Sequence, residues 1–290
     1  MVYRVEKSFE VIIINELSIA VIQFPGSNRE YELARAFESV GMLSEVFRWK
    51  RNSEELKRFH GYALPGGFSY QDRNRAGSIA VYDRTIEVIA DESERYGKPV
   101  IGICNGNQIL VEAGLVPNTW KKLDIGMAPN AGRKDGEVVR TGFISDWVYV
   151  VHTGKLGRSV ATKLFDEGEL LPIPIAHGEG RYEMSDATLQ ELDTNGQILW
   201  KYATADGVID PNYPANPNGS KANIAGICNK RGNVIAFMPH PEAANWLYQM
   251  RESVWSEKLE AQGIAERMNS PGAWRRFFES VKLHLYEVLK

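Results

Sequence analysis

The sequence predicts an α/β fold: an open, mostly parallel sheet with flanking helices, added strands and a helical C-terminal extension. Three observations carry this. Over roughly the first 115 residues, short apolar runs alternate with helical patterns, as in parallel sheets covered on both faces. From Glu137 to Met238 the runs are strand-like and separated by turns. From Trp246 onward the pattern is mostly helical.

Taken in order, Ser18–Phe24 reads as a buried strand. Pro25-Gly26-Ser27-Asn28 is a turn, with Ser27 or Asn28 available to cap a helix over Arg29–Val40, which Gly41 ends. Ser44–Trp49 is a second strand, Ser53–Phe59 a short helix and Gly61–Leu64 a third strand that stops at Pro65-Gly66-Gly67. Ile79–Tyr96 reads as one long helix closed by Gly97. Pro99–Ile103 is a fourth strand, followed by a helix over Asn107–Ala113 that Gly114 ends. Then come strands at Glu137–Arg140, Trp147–His152, Ile173–Ala176, Ile198–Tyr202, Ile224–Cys228 and Val234–Met238, with a Pro/Asn loop over Pro211–Gly219. Two helical stretches, Arg251–Met268 and Ala273–Leu289, flank Pro271-Gly272.

The chain has 290 residues, and no linker or repeat argues for independent units, so 1–290 reads as a single domain. Its core spans about 18–246, with an N-terminal extension over 1–17 that holds one added strand, and a helical region over 247–290. A net charge of -3 gives no general affinity for nucleic acid or an anionic membrane. The apolar patch Val11–Ile14 follows charged residues and is too short for a signal peptide or a membrane span. Two distant cysteines fit a reducing, cytosolic compartment rather than a disulfide.

Those two cysteines, Cys104 and Cys228, sit in identical tetrapeptides, Gly-Ile-Cys-Asn. The first follows a strand and precedes a helix. Gly102-Ile103-Cys104-Asn105-Gly106 is a cysteine version of the Gly-x-Ser-x-Gly turn, which exposes a nucleophile on a sharp bend. The helix N-terminus favours the thiolate, and the Asn105 N–H would point toward an oxyanion. A small buried cysteine closing a strand is the plainer alternative. The second copy leads into Lys230-Arg231-Gly232-Asn233, a hairpin turn, so Cys228 reads as a small core residue. Of five histidines, His60 and His284 read as structural or solvated. His240 stands in Pro239-His240-Pro241-Glu242, where two prolines hold the chain extended and present His240 and Glu242 on one side. Nucleophile, base and orienting carboxylate would make a cysteine triad.

Gly102–Gln108 (GICNGNQ) followed by Pro239–Glu242 (PHPE) resembles the class I, or triad, glutamine amidotransferases, with their flavodoxin-like sheet. Pro25–Asn28, Pro65–Tyr70 (PGGFSY) and Ala176–Gly180 (AHGEG) narrow the resemblance to the glutaminase subunits of phosphoribosylformylglycinamidine (FGAM) synthase, over about residues 18–246 and the last helix. The resemblance implies that Cys104 attacks the amide of glutamine, with His240 and Glu242 as its partners. It implies an oxyanion site at the N–H groups of Gly67 and Asn105, and substrate contacts from Gly66, Gln108 and His177, with Glu179 beside them. It implies no metal and no cofactor in this chain; ATP and magnesium belong to a partner synthetase subunit that receives the ammonia, and a small bridging subunit joins the two. The sequence departs from the family pattern at Asn107, usually a bulky apolar residue, which could alter the floor of the site. It departs also in the basic stretch Gln71–Arg75 and in an insertion over about 248–271. The readings left open are an amidotransferase for another acceptor, a silent regulatory module and a peptidase-like cysteine hydrolase; the AHGEG and PGGFSY stretches and the intact triad speak against them.

Overall fold

Along the first strand, β1 (Ser18–Gln23), side chains alternate between two hydrophobic clusters: Ile19 and Val21 join one, Ala20 and Ile22 the other. That alternation places helices on both faces of the sheet, as seen in a computed structural model that describes residues 16–117, 122–251 and 264–289. The expected N-terminal strand and all but the ends of the 248–271 insertion lie outside the described residues.

β1 pairs in parallel with β2 (Leu43–Arg48) and β3 (Gly61–Leu64), and β4 (Val100–Ile103) pairs in parallel with β3. Helices α1 (Glu30–Ser39), α2 (Arg84–Tyr96) and α3 (Asn105–Glu112) follow β1, β3 and β4. Next come β5 (Ile125–Ala128), β6 (Ala131–Lys134), β7 (Glu137–Thr141), β8 (Ile144–His152), β9 (Leu170–His177), β10 (Arg181–Met184), α4 (Asp186–Thr194), β11 (Ile198–Ala203), β12 (Ile224–Cys228) and β13 (Val234–Phe237). Among the described residues nine strands form one sheet in the order β2-β1-β3-β4-β13-β12-β11-β8-β9. It is parallel from β2 through β13 and antiparallel beyond. β5 pairs with β10, and β6 with β7, in two small ribbons.

The helices α5 (Ile264–Asn269) and α6 (Arg275–Val288) end the described chain. α6 covers the face that carries α1: Phe278 meets Phe37 edge-on at 5.1 Å, and Trp274 Nε1 donates to the Pro172 carbonyl at 2.8 Å. Among the described residues no helix is long and apolar enough to cross a membrane.

Several local expectations are corrected. Neither Ser27 nor Asn28 caps α1; Arg29 is the N-cap residue, without a side-chain capping bond, and Ser27 Oγ instead accepts from the Phe24 N–H at 3.1 Å within the turn. The stretch Ile79–Tyr96 is not one helix. A 3-10 turn over Ala80–Tyr82 stops at Asp83, whose carboxylate accepts from the Thr85 N–H and starts α2 afresh. α3 begins at Asn105, two residues earlier than expected, directly after the cysteine. β5, β6, β10 and α4 are new; Ser185 caps α4 by accepting from the Thr188 N–H, a start signal that the sequence carries.

The polar residue Asn107 is accommodated rather than strained. Fully buried, it donates to Met238 Sδ at 3.2 Å, while its carbonyl oxygen accepts from the Tyr182 hydroxyl. Tyr182 also donates to the Ala236 carbonyl at 3.2 Å. Buried polar groups cost most when left single. Tyr182→Phe should therefore destabilise by about 1–3 kcal/mol, because the Asn107 oxygen is orphaned. Tyr182→Phe combined with Asn107→Leu should recover part of that loss; urea unfolding of both variants checks this.

Candidate active site

Cys104 stands between β4 and α3 with φ +52 and ψ -104, a conformation that an L-residue holds only under constraint. Tight packing supplies the constraint. A Cβ at Gly106 would lie 2.0 Å from the Leu64 carbonyl oxygen, and one at Gly102 would lie 2.6 Å from the Gly106 oxygen. Only glycines let β3, β4 and α3 come that close. The Cys104 N–H donates to Phe237 of β13, fixing the bend between its two neighbouring strands. Its thiol sits at the N-terminus of α3, where the helix field favours negative charge.

β13 delivers the second component. The chain leaves it through Pro239, and a 3-10 turn over Pro241–Ala244 follows. The extended segment foreseen for His240–Glu242 is thus a turn: Pro241 occupies its first position, where a proline fits. His240 and Glu242 still meet, with His240 Nδ1–H donating to Glu242 Oε1 at 2.7 Å. Both are buried. Nδ1 is thereby committed to the carboxylate, which leaves Nε2 for chemistry. Nε2 has no hydrogen bond of ordinary geometry among the described residues, and the thiol is turned to the Ala176 carbonyl at 3.5 Å. Cys104 nevertheless acts on the imidazole. Burial pulls the pKa of His240 down, but Glu242 and Cys104 outweigh it and raise it to about 10. Burial likewise opposes ionisation of Glu242, yet His240 and Arg29 hold its carboxyl below the usual range.

Arg29 was read only as the start of a helix. Its Nε donates to the same Glu242 oxygen at 2.8 Å. With Gly67, Phe68, Cys104, Phe143 and His240 it lines a cavity of about 220 Å³, which suits a ligand of amino-acid size. The N–H groups of Gly67 and Asn105 have no acceptor among the described residues. The Asn105 side chain is occupied: its oxygen accepts from the Ser69 N–H at 3.1 Å and its amide donates to Gln108 Oε1 at 3.0 Å.

The other expected contacts lie behind the cavity. Gln108 donates to the Glu179 carbonyl at 2.7 Å. His177 is buried, and its Nδ1 is 3.2 Å from Asn130 Oδ1. Burial and the neighbouring His240 drive its pKa to about 3, so it is neutral. Asn130, which carries no motif, clamps the His177–Gly180 turn: its oxygen also accepts from the Gly180 N–H and its amide donates to the His177 carbonyl. The basic loop is partly neutralised, since Arg75 pairs with Glu112. Inside it, burial and Glu179 raise Asp72 to about 6. Among the described residues no cluster of His, Cys, Asp or Glu could hold a metal ion.

A strained cysteine at a strand-to-helix bend and a histidine tied to a buried carboxylate, both lining one small cavity, are the parts that cysteine acyl transfer requires. The comparisons narrow that class: the chain belongs to the CobB/CobQ-like glutamine amidotransferase domain family, whose model matches residues 16–284. It is 41% identical over 272 residues to phosphoribosylformylglycinamidine synthase subunit PurQ of Methanothrix thermoacetophila, covering 93% of this chain and 99% of that one. It is 43% identical over 229 residues to the PurQ subunit of Thermomicrobium roseum, covering 79% and 88%. Among solved structures, a chain of PurLQS from Thermotoga maritima matches with a TM-score of 0.66 and 28% identity, covering 93% of this chain and 99% of that one. The resemblance drawn from the motifs is borne out.

Two outcomes follow. Both cysteines are free, but Cys228 is sealed in β12 and burial pushes its thiol up to about 11. Brief iodoacetamide treatment of the folded protein should alkylate Cys104 and spare Cys228, as read by peptide mass spectrometry. Asp72 has its folded pKa raised, so its ionised form opposes folding above that pKa and the penalty fades as pH falls toward the unfolded value. Asp72→Asn should therefore raise the melting temperature at neutral pH, and the gain should shrink on acidification to about pH 4.

Proposed function

We propose that this chain is the glutaminase subunit of FGAM synthase, in de novo purine biosynthesis. It hydrolyses L-glutamine to glutamate and ammonia, and hands the ammonia to an ATP- and magnesium-dependent synthetase subunit. That subunit converts formylglycinamide ribonucleotide to formylglycinamidine ribonucleotide, with a small bridging subunit completing the complex. The whole chain acts as one amidotransferase domain, in the cytoplasm.

Cys104, His240 and Glu242 are the catalytic residues in this reading. The Cys104 thiolate attacks the side-chain amide carbon of glutamine. The resulting oxyanion accepts from the N–H groups of Gly67 and Asn105. His240 protonates the departing nitrogen, ammonia leaves and a thioester remains. His240 then takes a proton from water, whose oxygen attacks the thioester; glutamate leaves and the thiolate returns. Gly66 keeps the floor low enough for His240 and Cys104 to meet. Gln108 and His177 serve glutamine binding from behind, by holding the turn that follows Ala176 and carries Glu179.

The observation that carries this reading is the meeting of a strained Cys104 with His240 and Glu242 at one cavity. PurQ relatives, matched over nearly their full length, support the choice of acceptor. Glutamine hydrolysis should be assayed with and without the co-purified synthetase, because a partner can complete such a pocket. Cys104→Ala should abolish turnover and Cys228→Ala should retain most of it. A complex fully active without Cys104 would sink the mechanism.

A further inference from the structure

The carboxylate of Glu242 takes both of its charged contacts on one oxygen. Oε1 accepts from His240 Nδ1–H at 2.7 Å and from Arg29 Nε–H at 2.8 Å, while Oε2 is buried without a partner among the described residues. The Glu242 side chain is 1% exposed and that of Arg29 is 29% exposed, so the ion pair is closed on one side and open to the cavity on the other. The arginine stem is held in place. A Cβ at Gly66 would meet His240 Cε1 at 2.8 Å, Arg29 Cδ at 3.4 Å and Cys104 Cβ at 3.5 Å, so all three side chains crowd one point. Gln249 Nε2 donates to the Glu242 carbonyl at 3.2 Å and pins the backbone independently of the carboxylate.

Proton accounting shows what this contact does. While His240 carries two protons, Glu242 has a cationic neighbour in the ring. Once His240 has given its Nε2 proton to the departing nitrogen, the ring is neutral. A buried carboxylate beside a neutral ring is costly, and taking up a proton from solvent would relieve it. A protonated Glu242 would no longer hold the imidazole proton at Nδ1, and the ring could carry it on Nε2, the wrong tautomer for taking a proton from water in the second half of turnover. Arg29 cannot give up its charge. Among the described residues it is the one cation that stays on Glu242 in both halves.

We propose that Arg29 is a positioning residue and a fourth member of this site: it keeps Glu242 ionised and aimed at Nδ1 of His240 while the imidazole gains and loses its proton. This rests on the glutaminase reading. Among the described residues, the charged and titratable groups that face the cluster are Arg29 and Glu32 from the first turn of α1, Cys104 from the N-terminus of α3, His177 from the end of β9, Tyr202 from β11, and His240 and Glu242 themselves. Removing the Arg29 cation makes Glu242 and the His240 bound to it easier to protonate, so the pH profile moves upward.

The test uses the complex with the synthetase and glutamine as substrate. Arg29→Gln, Arg29→Lys, Glu242→Gln and the double variant Arg29→Gln/Glu242→Gln are assayed from about pH 5.5 to 9, across the span where such groups titrate. Arg29→Gln should lower kcat about 10- to 100-fold and KM much less, the size of effect seen when a partner that orients a reacting group is lost. Its kcat/KM profile should shift up by about one pH unit, and Arg29→Lys should move it back toward wild type. In the Glu242→Gln background, Arg29→Gln should cost almost nothing more, because both changes break one unit. A rise in KM with kcat and the pH profile unmoved would overturn the proposal in favour of a substrate contact. Additive losses in the double variant would overturn it too. If Arg29→Gln misfolds, the Arg29→Lys profile decides alone: a charge-retaining variant as deficient and as shifted as expected for Arg29→Gln would refute a role through charge. Wild type without glutaminase activity would defeat the underlying reading instead, before any variant is compared.

Discussion

The contact on which the site depends is the approach of the α3 backbone to the end of β3. The Leu64 carbonyl stands where a side chain on Gly106 would be. That contact lets α3 start immediately after β4 and leaves Cys104 no ordinary backbone conformation. The strain is spread over neighbours that have their own reasons to stay: the Cys104 N–H on Phe237, the Gly106 N–H on Pro65 and the two apolar clusters on either side of the sheet. The thiol is thus aimed by the packing of strands and helix, which are rigid, rather than by a loop.

Charge in the site is arranged in layers. Cys104 and His240 line one small cavity, the Glu242 carboxylate holds the imidazole, and the Arg29 guanidinium reaches that carboxylate from a third element. The polar groups around them are engaged with one another. Gln108 and Asn130 grip the His177–Gly180 turn from two sides, and Asn105 ties the loop after Gly67 to α3. These bonds stiffen the structure behind the cavity. Asn107 shows the same economy: the polar side chain that breaks the family pattern found its acceptor and donor within one buried network.

The sequence made part of this legible. The strand-to-helix bend at Cys104 and the hairpin after Cys228 follow from short-range rules, since a glycine-flanked cysteine before a helix and a polar turn between apolar runs each have a local cause. The His240–Glu242 pairing was foreseen for the wrong reason: proline rigidity was right, but Pro241 opens a turn rather than extending the chain. Arg29 and Asn130 stayed hidden because their partners lie far along the chain, 213 residues away for Glu242 and 47 for His177. Neither carries a periodicity or a motif. The break at Asp83 was missed because helical patterning runs through it unchanged; the capping carboxylate, not the apolar period, sets the boundary.

By itself, the sequence determined the class of fold and which of two identical tetrapeptides stands at a strand-to-helix bend. Apolar period, glycine placement and the residues after each Asn are local properties, and local physics suffices to read them. The tertiary structure decided the rest: that Glu242 has a second cation, that Gln108 and His177 stand behind the cavity, and that Asn107 is paired. Each depends on which distant segments the nine-stranded sheet brings side by side, and burial makes an unpaired polar group there costly.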